Sequence, residues 1–200
     1  MNTAAAPIEA IVVGGSSGAL EALLVILPAL PQAFLVPVAV VVHVPPNRPS
    51  ALAAVLANQC AIRVKEAEDK EPLVAGTVYI APPDYHLLIE QDRTVGFSVD
   101  APVQFSRPSI DVLFESAAEA YGAALVGLLL TGGNEDGAAG LARIQQLGGT
   151  AVIQSLETAR ISTMPAAGLR TTKAPHVLPL PEIGPFLVTL SRRALGAEPS

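Results

Sequence analysis

The sequence predicts an α/β fold of three layers, in which helices cover both faces of a mostly parallel sheet. Short apolar runs without polar alternation recur along the chain, which is typical of strands buried on both faces. Helix-like segments separate most of these runs, and such a β-α-β order favours parallel pairing. A region of three strands without helices between them predicts, in addition, an antiparallel hairpin at one edge of the sheet.

The strands and helices are predicted from composition and periodicity. Runs rich in β-branched residues or leucine predict five buried strands: Ile11–Val13, Val38–Val42, Leu125–Leu130, Ala151–Gln154 and His176–Leu180. The helices are predicted over Ala19–Leu27, Pro49–Asn58, Ser109–Tyr121 and Gly137–Leu147. We expect Ser109 to cap its helix and Gly148-Gly149 to end the last one.

The expected hairpin lies in the middle of the chain. Gly76–Ala81, His86–Glu90 and Thr94–Val99 have strand-like composition and are separated only by short turns. Since no helix connects them, we expect this region to be added at the edge of the parallel sheet.

The composition argues against several classes of protein. Half of the 200 residues are hydrophobic, 15% are charged and the net charge is -6. This balance argues against disorder, and it argues against nucleic acid or an anionic membrane as the main partner. Cys60 is the single cysteine, so an intrachain disulfide and a thiolate metal cluster are both ruled out. We expect no metal and no other cofactor.

One long apolar segment is not expected to insert into a membrane. Prolines interrupt Ala22–Val44, which therefore divides into a helix, a turn and a buried strand. The N-terminus has no basic stretch ahead of an apolar run, so we expect no secretion signal and a cytoplasmic protein. Residues 1–200 are expected to form one domain with a core over about residues 9–190.

The stretch Val12–Leu23, VVGGSSGALEAL, predicts a glycine-rich turn between a strand and a helix. A dinucleotide-binding turn would need an acidic residue near the end of the second strand, and that strand ends in Val42-His43-Val44. The turn also fits G-x-S-x-G, which exposes a serine nucleophile at Ser16. The pattern by itself favours a purely structural turn over a catalytic one, so a base and an acid must be found nearby.

The best candidate for the base is His43. It ends the second buried strand, and the C-terminal ends of parallel strands share one edge with the turn that carries Ser16. His86 and His176 are expected to be structural histidines.

The candidate for the orienting acid is Asp136. It follows the longest apolar strand and precedes a helix, where the helix N-terminus favours an ionised carboxylate. The alternative is that Asp136, with Asn134, merely caps that helix. Asp84 and Asp111 have a weaker geometric case.

With these motifs in place, the chain resembles the catalytic domain of CheB-type chemotaxis protein-glutamate methylesterases over about residues 11–190. The family motif Gly-Ala-Ser-Thr-Gly-Gly corresponds to Gly14–Ala19, His-Met-Pro-Pro to His43–Pro46, and Thr-Gly-Met-Gly-Asn-Asp-Gly-Ala to Thr131–Ala138. Further matches are Ala81–Asp84 with His86, Arg107–Asp111, Glu157 and Met164-Pro165.

The resemblance implies a serine hydrolase that demethylates γ-glutamyl methyl esters on the cytoplasmic helices of chemoreceptors, and that also deamidates glutamines. It assigns Ser16 as nucleophile, His43 as base and Asp136 as orienting acid. The oxyanion donors of the family correspond to the backbone N–H groups of Ser17 and Gly133. The implied partners are a methylated receptor and other chemosensory proteins.

The chain departs from the family pattern close to the site. Gly133 stands for methionine and is expected to loosen the oxyanion donor, because glycine has more backbone freedom. Glu135 stands for asparagine and is expected to slow the chemistry by adding negative charge. About ten residues precede the first strand, so no receiver domain is expected. Two alternatives stay open, a receptor-binding scaffold with a weakened site and a serine hydrolase acting on another ester.

Overall fold

The computed structural model describes residues 6–44 and 50–192. Its strands are β1 (Ala10–Gly15), β2 (Val38–Val42), β3 (Arg63–Glu66), β4 (Thr77–Ile80), β5 (His86–Ile89), β6 (Val95–Ser98), β7 (Leu125–Leu129), β8 (Thr150–Gln154) and β9 (His176–Leu178). Its helices are α1 (Ala19–Ile26), α2 (Leu52–Ala57), α3 (Ile110–Tyr121), α4 (Ala138–Gln146), α5 (Thr163–Thr171) and α6 (Leu180–Arg192). Pro45-Pro46, Pro49 and the last eight residues lie outside the described residues.

Seven strands form one parallel sheet in the order β3-β4-β2-β1-β7-β8-β9. The central strand β1 pairs with β2 on one side, where Gly15 is opposite Val42, and with β7 on the other side. β1, β2, β4 and β7 are buried throughout, because helices cover both faces. The strands that follow β1 in the chain, up to β4, lie on one side of it, and those from β7 onward lie on the other. Because all seven strands are parallel, the C-terminal ends of β1, β2 and β7 lie at one edge of the sheet.

Alternate side chains of β1 pack into two separate hydrophobic cores, one on each face of the sheet. Ile11 and Val13 pack with α1 and α6 on one face, whereas Ala10 and Val12 pack with α3 and α4 on the other. This alternation follows from the two-residue period of a strand. The predicted three-layer α/β fold is confirmed.

The predicted three-strand region divides between two sheets. β4, the first of its strands, pairs in the parallel sheet between β3 and β2, and its four residues are all buried. β5 and β6 form a separate two-stranded antiparallel sheet, which packs on α3 through Leu87 and Ile89. The hairpin is thus present but is not hydrogen-bonded to the edge of the main sheet, because an unpredicted strand, β3, occupies the position beside β4.

Three elements were not expected from the sequence. β3 has the exposed, charged composition of an edge strand and does not look apolar. α5 and α6 contain prolines, which obscure a helical pattern; Pro165 lies near the start of α5 and Pro185 lies inside α6. The predicted strand His176–Leu180 is consequently shorter, ending at Leu178 before α6 begins.

Candidate active site

Ser16 and His43 follow neighbouring strands at the same edge of the sheet. The N–H of His43 donates to Gly15 O at 3.1 Å, and the N–H of Ser16 donates to Thr131 O at 2.9 Å. These bonds extend the ladders of β1 with β2 and of β1 with β7 by one residue. The serine, the histidine and the loop after β7 are therefore brought together, as the sequence predicted.

The turn that carries Ser16 depends on glycine at two positions. Gly18 has a φ of 87°, a conformation that residues with a Cβ rarely adopt. A Cβ at Gly15 would lie 2.7 Å from the Cβ of Ala19, so the turn closes too tightly for a side chain there. The result is a sharp passage from β1 into α1 that leaves Ser16 partly exposed.

His43 and Asp136 are directly hydrogen-bonded. The Nε2 atom of His43 lies 2.7 Å from Oδ2 of Asp136, and the Asp136 side chain is fully buried. Because the carboxylate accepts the proton of Nε2, the nitrogen left as acceptor in the neutral ring is Nδ1.

Asp136 also binds the N-terminus of α3. Its carboxylate accepts hydrogen bonds from the N–H of Ile110 at 2.7 Å, the N–H of Asp111 at 3.0 Å and the hydroxyl of Ser109 at 2.9 Å. Ser109 was expected to cap α3 itself, but its hydroxyl binds Asp136 instead. Asp136 therefore caps α3 and not the helix that follows it, α4.

The environment of Asp136 keeps it ionised. Burial raises the pKa of its carboxyl. The hydrogen bonds from His43 and from the α3 N–H groups lower the same pKa by more, so the net pKa lies below its ordinary value. An ionised carboxylate is the form that can hold an imidazole and stabilise it when protonated.

Ser16 and His43 follow paired strands, but no hydrogen bond joins the Ser16 hydroxyl to the His43 ring. Nδ1 of His43 instead lies 3.5 Å from the hydroxyl of Ser106, a long contact. Sequence reasoning missed Ser106, which lies in the loop between β6 and α3 with no motif of its own beyond preceding Arg107. Its position beside His43 became visible only with the fold.

Thr131 links the Ser16 turn to the loop that contains Ile161 and to the end of β8. Its hydroxyl donates to Ser17 O at 2.9 Å and accepts from the N–H of Ile161 at 2.9 Å, while its own N–H binds the side chain of Gln154. Thr131 is buried, so these bonds are shielded from water. The residues on either side of the sheet edge are thereby held as one unit.

The chain is similar to known proteins both in sequence and in structure. The sequence profile described as CheB methylesterase matches residues 11–187. The chain belongs to the CheB methylesterase family. A Leptospira interrogans protein provisionally named protein-glutamate methylesterase/protein-glutamine glutaminase is 46% identical over 187 residues, covering 94% of this chain and 97% of that protein.

A relative from Caulobacter vibrioides named protein-glutamate methylesterase/protein-glutamine glutaminase 2 is 36% identical over 94% of this chain. The alignment covers 55% of that longer relative. The crystal structure of the Thermotoga maritima CheB methylesterase catalytic domain superposes with a TM-score of 0.87 at 35% identity, over 92% of this chain and 98% of that one.

The two backbone donors implied by the CheB resemblance lie at the same edge. Among the described residues, the N–H groups of Ser17 and Gly133 have no hydrogen-bond acceptor. Gly133 is exposed, and a Cβ added to it would meet nothing within 4 Å. The space that the methionine side chain of the family motif would begin to fill at position 133 is therefore open to solvent.

The negative charge of Glu135 is paired with the positive charge of Arg170. Its carboxylate lies 2.6 Å from Nη2 of Arg170, and both side chains are more than half exposed. The ion pair offsets the negative charge that was expected to slow the chemistry, so we expect a smaller effect than the sequence suggested.

Of the remaining candidates, Asp84 lines the cleft beside His43, whereas Asp111 and the other two histidines have contacts elsewhere. Asp111 faces α4, where it accepts the N–H of Gly140 at 2.7 Å. His86 is buried between the carbonyl of Ala101 and the N–H of Ser109, as expected of a structural histidine. His176 was expected to be a structural histidine, but it is exposed, and its ring makes a tilted contact with the ring of Phe186 at 4.9 Å between centroids.

A cleft with a volume of about 810 Å³ opens beside His43. Its walls are Val44, Asp84, Tyr85, Val99, Pro102, Phe105, Ser106, Arg107 and Pro108. Across residues 6–44 and 50–192, no three His, Cys, Asp or Glu side chains cluster as metal ligands, and no helix has the length and apolar character of a membrane span.

Proposed function

We propose that this chain is a serine hydrolase that demethylates γ-glutamyl methyl esters on the cytoplasmic helices of chemoreceptors, and that it also deamidates glutamines. The observation that carries the proposal is the 2.7 Å contact between His43 and a buried Asp136, at the edge where Ser16 follows β1. The names of the relatives support the substrate class. A receptor substrate of this kind implies a cytoplasmic enzyme, with residues 9–190 as its catalytic domain.

The first half of the reaction forms an acyl-enzyme. The Ser16 hydroxyl attacks the ester carbonyl while Nδ1 of His43 takes its proton. The N–H groups of Ser17 and Gly133 donate to the oxyanion of the tetrahedral intermediate. When the intermediate collapses, His43 gives the proton to the leaving methoxy group, and methanol departs.

The second half restores the free enzyme. A water molecule, deprotonated by His43, attacks the acyl-enzyme, and Ser16 leaves with the proton to yield a glutamate side chain. With a glutamine substrate the same steps release ammonia instead of methanol. Asp136 holds the imidazole in the required tautomer throughout and stabilises its protonated form.

The structure has no hydrogen bond between the Ser16 hydroxyl and His43, whose Nδ1 atom lies 3.5 Å from the Ser106 hydroxyl instead. Catalytic hydrogen bonds are often long or misaligned in empty sites and tighten when substrate binds. A rotation of the Ser16 side chain about its Cα–Cβ bond is a low-cost change between staggered rotamers. The missing Ser16–His43 bond is also the observation that favours the alternative, a receptor-binding scaffold whose site has weakened.

The test is methanol release from a methylated receptor fragment by the wild-type chain and by Ser16→Ala. We expect the wild type to release methanol and the variant to lose at least about 10⁴-fold in kcat/KM. Equal rates for the two proteins would exclude Ser16 as the nucleophile. A wild type that binds the fragment without releasing methanol would favour the scaffold, and one that cleaves only small esters would favour another substrate class.

A further inference from the structure

The cleft beside His43 has an apolar mouth that the proposed chemistry does not use. Tyr85, Val99 and Phe105 line it, and all three are exposed. We propose that this mouth, with Phe105 as its centre, docks an apolar side chain of a substrate helix close to the reacting glutamyl ester, and that Arg107 binds a carboxylate of the same helix. The inference rests on the proposed function and specifies which helices serve as substrates.

Phe105 is presented on a tight two-residue turn. Val103 and Ser106 exchange two backbone hydrogen bonds, of 3.1 and 2.8 Å, across Gln104 and Phe105. Both of these residues have positive φ, of 49° and 61°. Such a turn normally takes asparagine and glycine at its centre, because a Cβ is unfavourable there.

Burial of the Phe105 side chain does not offset this backbone strain. Phe105 is fully exposed, with a relative accessibility of 102%. Strained backbone that holds a bulky residue out in solvent is typical of functional surfaces. Aromatic side chains of this kind are also the usual anchors of protein interfaces, because they bury a large area with few rotatable bonds.

The turn is continuous with the candidate active site. Ser106 follows Phe105 directly, and its hydroxyl is the group 3.5 Å from Nδ1 of His43. A helix that packs on Phe105 is therefore in reach of the same ring that would deprotonate Ser16. This position favours the substrate itself as the occupant of the mouth.

Arg107 gives the mouth a charge preference. Its Nη1 donates to the carbonyls of Val99 and Asp100 at 2.9 and 3.1 Å, which fixes the side chain against the cleft wall. Its Nε–H has no hydrogen-bond acceptor in the described part of the chain. That Nε–H is buried and out of a partner's reach. The positive charge that the guanidinium brings to the cleft wall is what favours a carboxylate on the partner.

The test measures binding by calorimetry in the Ser16→Ala background, so that no turnover intervenes. The probe is a synthetic amphipathic helical peptide with one γ-glutamyl methyl ester, an apolar stripe and acidic residues beside the ester. We expect Phe105→Gly to raise Kd at least about tenfold, although glycine relieves the positive φ and should leave the melting temperature unchanged or higher. The matched control is Ala174→Gly, which relieves a φ of 45° at the other edge of the sheet and should leave Kd within about twofold.

A second measurement uses the Ser16→Ala protein without any further substitution and a peptide whose acidic residues are replaced by glutamine. We expect this peptide to bind at least about threefold more weakly than the acidic one. A Phe105→Gly Kd within twofold of the parent, or no binding of the esterified peptide at all, would overturn the docking site. Equal affinity for the two peptides would overturn the role of Arg107. Binding that depends on Phe105, without methanol release by the wild type, would instead contradict the proposed function alone.

Discussion

At the scale of single residues, Gly133 controls how firmly one oxyanion donor is held. It lies in the loop between β7 and α4, its φ is not in the left-handed region, and a Cβ there would meet nothing within 4 Å. A glycine that needs no special conformation only adds freedom to the N–H group. Alanine in place of such a glycine costs the unfolded chain about 0.4–1 kcal/mol of conformational freedom, which is an upper limit for the freedom lost in a folded loop.

We therefore expect Gly133→Ala to raise kcat for ester hydrolysis, by about two- to fivefold if the whole gain reaches the transition state. The measurement is steady-state methanol release at saturating peptide. Gly132→Ala is the comparison variant: its Cβ would lie 2.6 Å from the thioether end of buried Met164, which must shift, so we expect no gain in kcat. An unchanged or reduced kcat in Gly133→Ala would show that this N–H does not limit the reaction.

At the scale of elements, the junction of α3 with α4 holds a second buried carboxyl beside Asp136. Burial raises the pKa of Asp111 to about 6, and the charge of Asp136 adds to the effect despite a hydrogen bond from Gly140. An acid whose pKa is raised on folding destabilises the folded protein when it ionises. The penalty is absent below the unfolded pKa near 3.8 and is fully present above pH 6.

Asp111→Asn should therefore raise the melting temperature at pH 8 and have little or the opposite effect at pH 4. The full penalty is on the order of 2–3 kcal/mol, which corresponds to several degrees in a chain of this length. Thermal unfolding at the two pH values checks it, with the exposed Glu66→Gln as control. A gain of the same size at both pH values would mean that ionisation of Asp111 is not its cause.

At the scale of the whole molecule, the sequence predicts those features that follow from a parallel sheet, above all the common edge at which its strands end. Once the apolar runs that form β1, β2 and β7 were read as buried strands, Ser16, His43 and Asp136 had to converge, because such strands end at a common edge. The layers and most central strands followed from the same patterns. The ionised state of Asp136 was also anticipated from a helix N-terminus, although the helix that supplies it is α3 and not α4.

The features that sequence reasoning missed depend on contacts between distant segments. β3 is an edge strand whose exposed side chains give no apolar signal, and α6 is a helix in spite of Pro185 because Ile183 and Leu187 pack into the core. Ser106 acquires a role only through the turn that places it near His43. None of these contacts leaves a local pattern in the chain.

The central claim is that His43 activates Ser16, and labelling with a fluorophosphonate followed by intact mass and peptide analysis tests it most directly. We predict one adduct on Ser16 in the wild type, none in Ser16→Ala, and a labelling rate at least about 10³-fold lower in His43→Gln. Labelling of Ser16 at the wild-type rate in His43→Gln, or an adduct on a different residue, would contradict the account.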